Sequence, residues 1–428
     1  MISNTEIQQI TALLKREVIP AIGCTEPIAV AFAVARAKDI LGITPQHIAV
    51  ELSGNVLKNA MGVGIPSTGM TGLPIAIALG ATVGRYEYGL EVLRDVTPEA
   101  VEHGKSIIDS GVIDISLNEK ACDKLHIKVL TTADNHTAEV VVAGEHTNII
   151  FESKDGTTLF SKKLESSSDE VQEPLSLSMK KVYQYAMEAP VSEIEFILES
   201  KRLNYGAAET ALKGTYGHNV GSLMVANNNS LFGQSTFTRI LSYTSAACDA
   251  RMAGAMIPVM SNSGSGNQGI AATIPVVVMA QARNSSHEEL VRALTLSHLT
   301  VIYIKERLGR LSAMCGCVVA ATGSSCGITY LMGGNYTQIT YAVKNMIANL
   351  TGIICDGAKP SCSLKISSGV STAVLSAAMA MNNECVQSVE GIIDNDVEKS
   401  IDNLTTISCD GMNTTDDYVL RIMTSKGC

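Results

Sequence analysis

The chain has 428 residues, of which 46% are hydrophobic and 17% are charged, with 35 glycines and no tryptophan. This length allows two or three domains with a large buried core, and the composition excludes a disordered chain and favours a well-buried helical enzyme. The net charge of −10 disfavours nucleic acids and anionic membranes as partners.

The first predicted element is an amphipathic helix over residues 4–18, which lacks the features of a signal peptide. No apolar run approaches the length of a membrane span. We therefore expect a cytoplasmic protein with no membrane partner. Its 11 cysteines are then expected to be thiols, metal ligands or catalytic groups rather than disulfides.

A break at residues 19–27, IPAIGCTEP, precedes a second predicted helix. Thr25 is expected to cap this helix, and Pro27 suits its first turn. Cys24 then lies at the helix start, where the amide dipoles favour an anion and lower the pKa of a thiol. The polar setting favours a reactive thiolate over a buried structural thiol.

Residues 45–155 combine alternating, strand-like runs with short helices, which predicts a compact α/β domain. Residues 156–174 are polar and are predicted to be a linker or exposed loop. Ala-rich helical faces follow, and the tail is expected to contain a strand or turn. The predicted fold class is α+β: a predominantly α-helical catalytic domain, residues 1–44 and 175–428, with an inserted smaller α/β domain.

The segment MSNSGSGNQG at residues 260–269 directly precedes an apolar helix. Glycine and serine let a backbone approach a ligand, and N–H groups at a helix N-terminus bind anions. The segment is neither a dinucleotide fingerprint nor a P-loop, so a small carboxylate is a better ligand than a nucleotide phosphate. A flexible turn that needs small residues is the structural alternative.

Five cysteines fall within residues 311–364: Cys315, Cys317, Cys326, Cys355 and Cys362. Cys317 and Cys326 lie in apolar helical sequence, where cysteine packs as a small hydrophobe. Cys355 and Cys362 flank the polar turn DGAKPS, which can bring both thiols to one point. This pair predicts a metal or iron–sulfur site, and its spacing matches no zinc pattern.

Four stretches resemble a known family: GCTEPIAVA at 23–31, NSGSGNQG at 262–269, SAMCG at 312–316 and ICDGAKPSC at 354–362. Together they resemble the L-cysteine desulfidase family, which is similar to the catalytic chain of the iron–sulfur-dependent bacterial L-serine dehydratases. The resemblance runs over roughly residues 5–425. It implies that the α/β segment at 45–155 is similar to the small substrate-binding-like domain of serine dehydratases.

The resemblance also implies an oxygen-sensitive [4Fe–4S] cluster held by three cysteines, with one iron open. These ligands map best onto Cys315, Cys355 and Cys362, with Cys317 and Cys326 as rivals for the first position. Cys24 matches a family cysteine that is suggested to be the catalytic base. The residues expected to bind substrate are Thr25, Ser263, Gly264, Ser265, Asn267, Gln268 and Lys359.

The implied reaction is β-elimination of L-cysteine to pyruvate, ammonia and hydrogen sulfide. An open iron can act as a Lewis acid towards the leaving sulfur, and a thiolate near Cα can act as the base. A soft thiolate suits iron and favours L-cysteine. Dehydration of L-serine by the same mechanism and a non-catalytic, cluster-bearing sensor are the alternatives.

No lysine motif for PLP is recognisable, so no PLP is expected beside the cluster. The expected partner is a small-molecule amino acid. The oligomeric state stays open, a homo-oligomer included.

Cys428 is the last residue of the sequence and carries a thiol together with a carboxylate, so it resembles L-cysteine without the free amine. The serine dehydratases that this chain resembles can fold a C-terminal cysteine onto the open iron. Residues 424–427 are polar and flexible enough to allow such a reach. A frayed, exposed terminus is the alternative.

Overall fold

The computed structural model describes residues 2–118, 125–162, 175–226, 231–308 and 313–426. Helices predominate among them and most strands join one mixed sheet, which confirms the predicted, mainly helical α+β class. The expectations for Cys428 and for most of the predicted linker fall outside the described residues. The division into a catalytic and an inserted domain stays a prediction.

The described strands form two sheets, a main sheet of six strands from the first part of the chain and a separate two-stranded ladder. The strands are β1 (Pro20–Ala21), β2 (His47–Leu52), β3 (Ile113–Leu117), β4 (His126–Ala133), β5 (His136–Ala143), β6 (Ile149–Lys154), β7 (Thr157–Ser161) and β8 (Val259–Met260). The main sheet has the order β3-β2-β4-β5-β6-β7, in which β2 and β3 run parallel and the other neighbours antiparallel. Every second residue of β4 is buried, so one face of the sheet packs on a core.

Helices make up the rest of the architecture. The α-helices of the first half are α1 (Asn4–Glu17), α2 (Thr25–Leu41), α3 (Gly54–Ala60), α4 (Leu73–Thr82), α5 (Pro98–Asp109), α6 (Met179–Glu188), α7 (Val191–Ile194), α8 (Leu198–Ala211) and α9 (Val220–Val225). Those of the second half are α10 (Thr236–Met252), α11 (Gly266–Arg283), α12 (His287–Leu308), α13 (Gly316–Leu331), α14 (Tyr336–Leu350), α15 (Cys362–Met381), α16 (Val397–Thr406) and α17 (Asn413–Ser425).

Helix α2 packs on the sheet and on α4. Twelve of its 17 residues are buried, because its sequence is apolar on almost every side. Gly80 of α4 allows the two helices to approach closely, since a Cβ at this position would lie 2.6 Å from the carbonyl oxygen of Ala31. The sheet, α2 and α4 thus share a hydrophobic core that is distinct from the core of the later helices.

Helix α13 occupies the centre of the second core, where it packs against α11, α12, α14 and α15. Fourteen of its 16 residues are buried. Gly323 and Gly327 give α12 room to approach, because a Cβ at either glycine would lie within 3.0 Å of a carbonyl oxygen of α12. Helix α15 is long and apolar enough to cross a membrane by length and composition, and it packs here against α10, α13 and α14.

A two-residue ladder brings the N-terminal turn to the glycine-rich loop. Strand β1 pairs antiparallel with β8, with Pro20 opposite Met260. The carbonyl oxygen of Ile19 also accepts hydrogen bonds from the amide and the hydroxyl of Ser261, at 2.8 and 2.7 Å. Cys24 and the loop after Met260 are therefore held together although they lie far apart in sequence.

Two segments differ from the expectations. The start of the predicted linker, Thr157–Ser161, forms the exposed edge strand β7, because Asp155 and Gly156 have positive φ angles of 50° and 77° that close a tight hairpin. The tail, expected to hold a strand or turn, forms the helix Asn413–Ser425. This helix packs on α3, where Leu420 lies directly against Gly54. A Cβ at Gly54 would lie 2.7 Å from Cδ2 of Leu420, so glycine leaves room for this contact.

Candidate active site

A cavity of about 150 Å³ gathers side chains from both halves of the chain. Its wall comprises members of residues 24–26, 58–59, 263–268, 314–317 and 355–366, together with Arg251 and Lys305. Among the described residues, every one assigned to the site from the sequence lines this cavity except Lys359. The structure thus brings these residues together, while their roles stay predictions.

Four long helices begin at the cavity wall. They start at Thr25, Gly266, Gly316 and Cys362. The first turn of each helix supplies N–H groups without intrahelical partners and the positive end of a dipole. The cavity is therefore suited to anionic groups such as thiolates or a carboxylate.

A short antiparallel bridge places Cys315 next to Cys355. Met314 pairs with Ile354, and the amides of Cys315 and Cys355 donate to the carbonyls of Ile353 and Ala313, at 2.9 and 2.6 Å. The Cys315 and Cys355 thiols consequently lie close enough for each to shift the pKa of the other. The polar turn alone, as considered in the sequence, does not provide this contact.

The turn after Cys355 directs Cys362 to the same cavity. Gly357 has a φ of +88°, and a Cβ here would lie 1.9 Å from the carbonyl oxygen of Lys58, so the turn requires glycine. The thiol of Cys362 donates to the Gly357 carbonyl at 3.5 Å. Cys362 is also the first residue of α15, where the helix dipole favours its thiolate.

The three thiols hold their protons tightly in these surroundings. Contact with the Cys317 thiol and burial raise the pKa of Cys315, although the Cys355 contact lowers it. Contact with Cys315, followed by burial, raises the pKa of Cys355 well above its usual value. Burial likewise raises the pKa of Cys362. A metal that binds these thiols therefore has to displace their protons.

The donor set fits an iron–sulfur cluster better than a single metal ion. Among the described residues, no three histidine, cysteine or carboxylate side chains converge on one ion position. A cluster is held differently, because each thiolate can bind a separate iron of one inorganic core. Cys315, Cys355 and Cys362 line one cavity from two helix starts and a turn, which matches that requirement.

The two rival cysteines occupy different places. Cys326 is fully buried in the hydrophobic core and is not part of the cavity wall. Cys317 lines the cavity, but its thiol donates to the Lys365 carbonyl at 3.5 Å. The packing role suggested for Cys326 by its apolar sequence therefore agrees with its position, and Cys317 remains adjacent to the proposed ligands.

Cys24, rather than Thr25 as expected, is the N-cap of α2, because Gly23 turns the chain with a φ of +66° one residue earlier. Cys24 is 3% exposed. Burial raises the pKa of its thiol to about 11, and the nearby Arg251 lowers it by less. The expected low pKa is thus wrong for this thiol, because lost hydration outweighs the helix dipole.

The glycine-rich loop forms a closed turn over the start of α11. Asn262 and Ser265 exchange backbone hydrogen bonds at 3.1 and 3.0 Å, and Ser263 and Gly264 between them have positive φ angles of 47° and 79°. The hydroxyl of Ser265 caps the helix through the Gln268 amide. The loop is therefore closed by hydrogen bonds of its own backbone and by the cap of α11.

A buried histidine supports this loop from below. Thr273 donates its hydroxyl proton to the Gly269 carbonyl at 2.7 Å, so its oxygen accepts from Nε2 of His298 at 3.0 Å. Nδ1 of His298 then accepts from the Asn262 side chain at 3.0 Å. Burial lowers the pKa of His298 to about 3, so a neutral ring holds the first residue of the loop at neutral pH.

Lys359 does not reach the cavity wall, contrary to its expected role in binding substrate. Its ammonium group lies 2.5 Å from the Asp356 carboxylate and 2.6 Å from the Asp356 carbonyl. Lys365 binds the same carboxylate. Burial would raise the pKa of Asp356, but these two lysines hold it below its usual value. Lys359 therefore stabilises the turn between the two cysteines.

The sequence analysis missed four charged residues of the wall: Glu26, Lys58, Arg251 and Lys305. Arg251 was overlooked in an Ala-rich helix. A signal was present, because Asp249 and Arg251 are the only charged residues within residues 245–256, and a charge in an apolar run is rarely buried without a purpose. Glu26 lies in the motif GCTEP at residues 23–27, where only Cys24 and Thr25 were assigned to the site.

The chain shows similarity to known proteins over nearly its whole length. Residues 87–421 match the family model described as the serine dehydratase alpha chain. The chain is 63% identical over 430 residues to the UPF0597 protein of Phocaeicola vulgatus, with 100% of both chains covered. It is 43% identical over 418 residues to the UPF0597 protein of Aeromonas hydrophila, which covers 97% of this chain and 95% of the relative. The UPF0597 names specify no substrate. The family model confirms the resemblance noted in the sequence: the chain belongs to the serine dehydratase alpha-chain family.

Proposed function

We propose that this protein is an iron–sulfur-dependent lyase that converts L-cysteine and water to pyruvate, ammonia and hydrogen sulfide. The observation that carries the proposal is that Cys24, Cys315, Cys355 and Cys362 line one cavity beside the glycine-rich loop. Membership of the serine dehydratase alpha-chain family supports elimination from a small amino acid as the reaction class.

Cys315, Cys355 and Cys362 would hold a [4Fe–4S] cluster by their thiolates. The cluster would supply a Lewis acid for the leaving sulfur of the substrate, and soft sulfur suits iron. The start of α15 at Cys362 and the nearby Lys58, whose charge lowers the pKa of Cys355 against the larger effects of Cys315 and burial, favour the charged form of these ligands. PLP has no part in this proposal.

Cys24 would remove the proton from Cα of the substrate. Its sulfur lies at the start of α2 and close to Arg251, both of which favour the thiolate against the effect of burial. Loss of the Cα proton and of the Cβ–S bond leaves an enamine. Water then hydrolyses this product to pyruvate and ammonia without a further catalytic group.

The loop at residues 263–268, which lines the same cavity, would help to position the substrate. The side chains of Ser263 and Ser265 already form hydrogen bonds within the loop, so its contribution is the backbone at the start of α11. Asn267 acts through Arg251, whose Nη1 donates to its side-chain oxygen at 3.1 Å. The loop thereby fixes a charged group of the cavity wall.

Elimination of water from L-serine by the same residues is a second candidate, favoured by the name of the matching family. A non-catalytic cluster-bearing sensor is disfavoured, because a sensor needs no thiol at Cys24 and no buried charges in the cavity wall. The proposal further places the protein in the cytoplasm, with no nucleic acid or membrane partner.

The substrate is tested by anaerobic kinetics with the reconstituted protein. We expect kcat/KM for L-cysteine to exceed that for L-serine by at least about tenfold, because thiolate binds iron better than hydroxide. Pyruvate is measured for both substrates and sulfide for L-cysteine. A preference for L-serine would assign the second candidate, and an absence of pyruvate from both amino acids would contradict a lyase.

A further inference from the structure

We propose that Arg251 and Glu26 recognise the substrate as a zwitterionic α-amino acid, Arg251 by binding its carboxylate and Glu26 by binding its ammonium group. The inference rests on the lyase function proposed above for the identity of the reaction. It adds the two residues that select the substrate class.

Arg251 is a buried cation that lies beside the Cys24 thiol. It is only 7% exposed and lines the cavity. Its Nη1 donates to Asn267 and its Nη2 to the Gly23 carbonyl at 3.0 Å, whereas its Nε is buried with no acceptor. No carboxylate among the described residues pairs with it. A desolvated guanidinium of this kind is costly unless an anion completes its surroundings.

The glycine-rich loop is shaped around this guanidinium. A Cβ at Gly266 would lie 2.3 Å from Nε of Arg251, so residue 266 must be glycine for the arginine to take this position. The helix that begins at Gly266 directs its positive end at the same place. Two positive features thus lie at the same cavity, which favours a carboxylate as the group that binds there.

Glu26 offers the opposite charge on the wall of the same cavity. Its carboxylate accepts from Asn59 at 3.1 Å and from the Thr25 hydroxyl at 3.3 Å. In the described part of the chain no lysine, arginine or histidine pairs with it. Both neighbours are neutral, so they orient the carboxylate and leave its charge available to an ammonium group.

A second acceptor lies in the same wall. Gln268 is 6% exposed, and its Oε1 is buried without a donor. A Cβ at Gly316 would lie 2.9 Å from the amide carbon of Gln268, so this position too is glycine to seat a polar side chain. Arg251 and Gln268 thus line the cavity, and each has one buried polar atom without a partner, so both side chains can gain from a rearrangement that brings them to the carboxylate and the ammonium of an amino acid.

The two charged groups lie near the proposed base. Arg251 and Glu26 both lie close enough to act on the Cys24 thiol, where burial has the larger effect on its pKa. The Cα atom of an amino acid lies between its carboxylate and its ammonium group. A substrate held by Arg251 and Glu26 would therefore present its Cα–H bond to Cys24.

The test uses two half-ligands with the anaerobically reconstituted protein and titration calorimetry. The probe 3-sulfanylpropionate has the carboxylate without the amine, and 2-sulfanylethylamine has the amine without the carboxylate. Arg251→Gln should raise the Kd of 3-sulfanylpropionate about 10- to 100-fold and change the Kd of 2-sulfanylethylamine by no more than about twofold. Glu26→Gln should do the reverse. Equal effects on both probes, or no effect, would overturn the proposal.

Matched controls come from the exposed ion pair of Arg202 with Glu199. Arg202→Gln and Glu199→Gln make the same chemical changes at the surface and should leave both affinities unchanged. The wild-type protein provides a test that needs no variant to fold: 3-sulfanylpropanamide, which lacks the negative charge, should bind at least about tenfold more weakly than 3-sulfanylpropionate. Equal binding of these two would overturn the role of Arg251.

The lyase function and the recognition by Arg251 and Glu26 can be contradicted separately. If the half-ligands show the predicted pattern and L-cysteine yields no pyruvate, the recognition stands and the lyase function fails. If L-cysteine yields pyruvate and the variants lack the pattern, the function stands and the recognition by Arg251 and Glu26 fails.

Discussion

Replacement of Cys355 by alanine is expected to abolish both iron binding and turnover. Cys355 is held opposite Ala313 by a backbone hydrogen bond of 2.6 Å, and its thiol is in contact with that of Cys315. The other two proposed ligands, Cys315 and Cys362, line the same cavity. Changes to residues that hydrogen-bond to metal ligands lower metal affinity or activity about 10- to 100-fold. Loss of a ligand itself should therefore lower activity more than about 100-fold.

The measurement is iron and sulfide content, the visible absorption of the cluster and pyruvate formation, all on anaerobically prepared protein. Cys385→Ala is the matched control, because Cys385 is half-buried and its thiol donates to the Val386 carbonyl outside the cavity. The control should retain full iron and activity. A Cys355→Ala protein with its full iron complement would remove Cys355 from the ligand set.

The second large effect is expected at Cys24. Cys24→Ser should retain the iron and lose turnover by about 10²- to 10⁴-fold, because a hydroxyl is a far weaker acid than a thiol and cannot supply the anion that removes the Cα proton. The cluster ligands lie on other segments of the chain, so the substitution leaves them in place. The measurement is kcat together with iron content in the same preparation.

Cys248→Ser is the matched control for this variant. Cys248 is also fully buried but is not part of the cavity wall, so its substitution reproduces the cost of burying a hydroxyl without touching the chemistry. It should keep turnover close to wild type. Wild-type rates in Cys24→Ser would exclude Cys24 as the base.

Local sequence was sufficient to predict residues that the structure brings to one cavity, because they lie in short, unusual motifs. The turn between Cys355 and Cys362 requires a glycine at 357. The loop at 262–268 requires Gly266, which leaves room for Arg251, and Gly264, which has a positive φ angle. Such requirements leave visible patterns in a sequence. The periodicity of α11 to α15 likewise predicted a helical core, because their apolar faces repeat at helical spacing.

Features that depend on tertiary packing escaped the sequence. The pKa of Cys24 is set by how completely later helices bury it, and the dipole of its own helix indicates only one of the two opposing effects. Lys359 was expected to bind substrate, whereas its ammonium group binds Asp356 three residues earlier. Arg251 lies in an apolar helix, and its orientation towards the cavity depends on packing against Gly266.

The central claim is that three thiolates hold a [4Fe–4S] cluster whose remaining iron meets the substrate. Mössbauer spectroscopy of protein reconstituted anaerobically with iron-57 tests this claim most directly. We predict about four irons per chain, with about a quarter of the signal changing when L-cysteine is added, because only one iron lacks a protein ligand. A spectrum that contains the cluster and is unchanged by L-cysteine, or a protein that binds no cluster, would contradict the account.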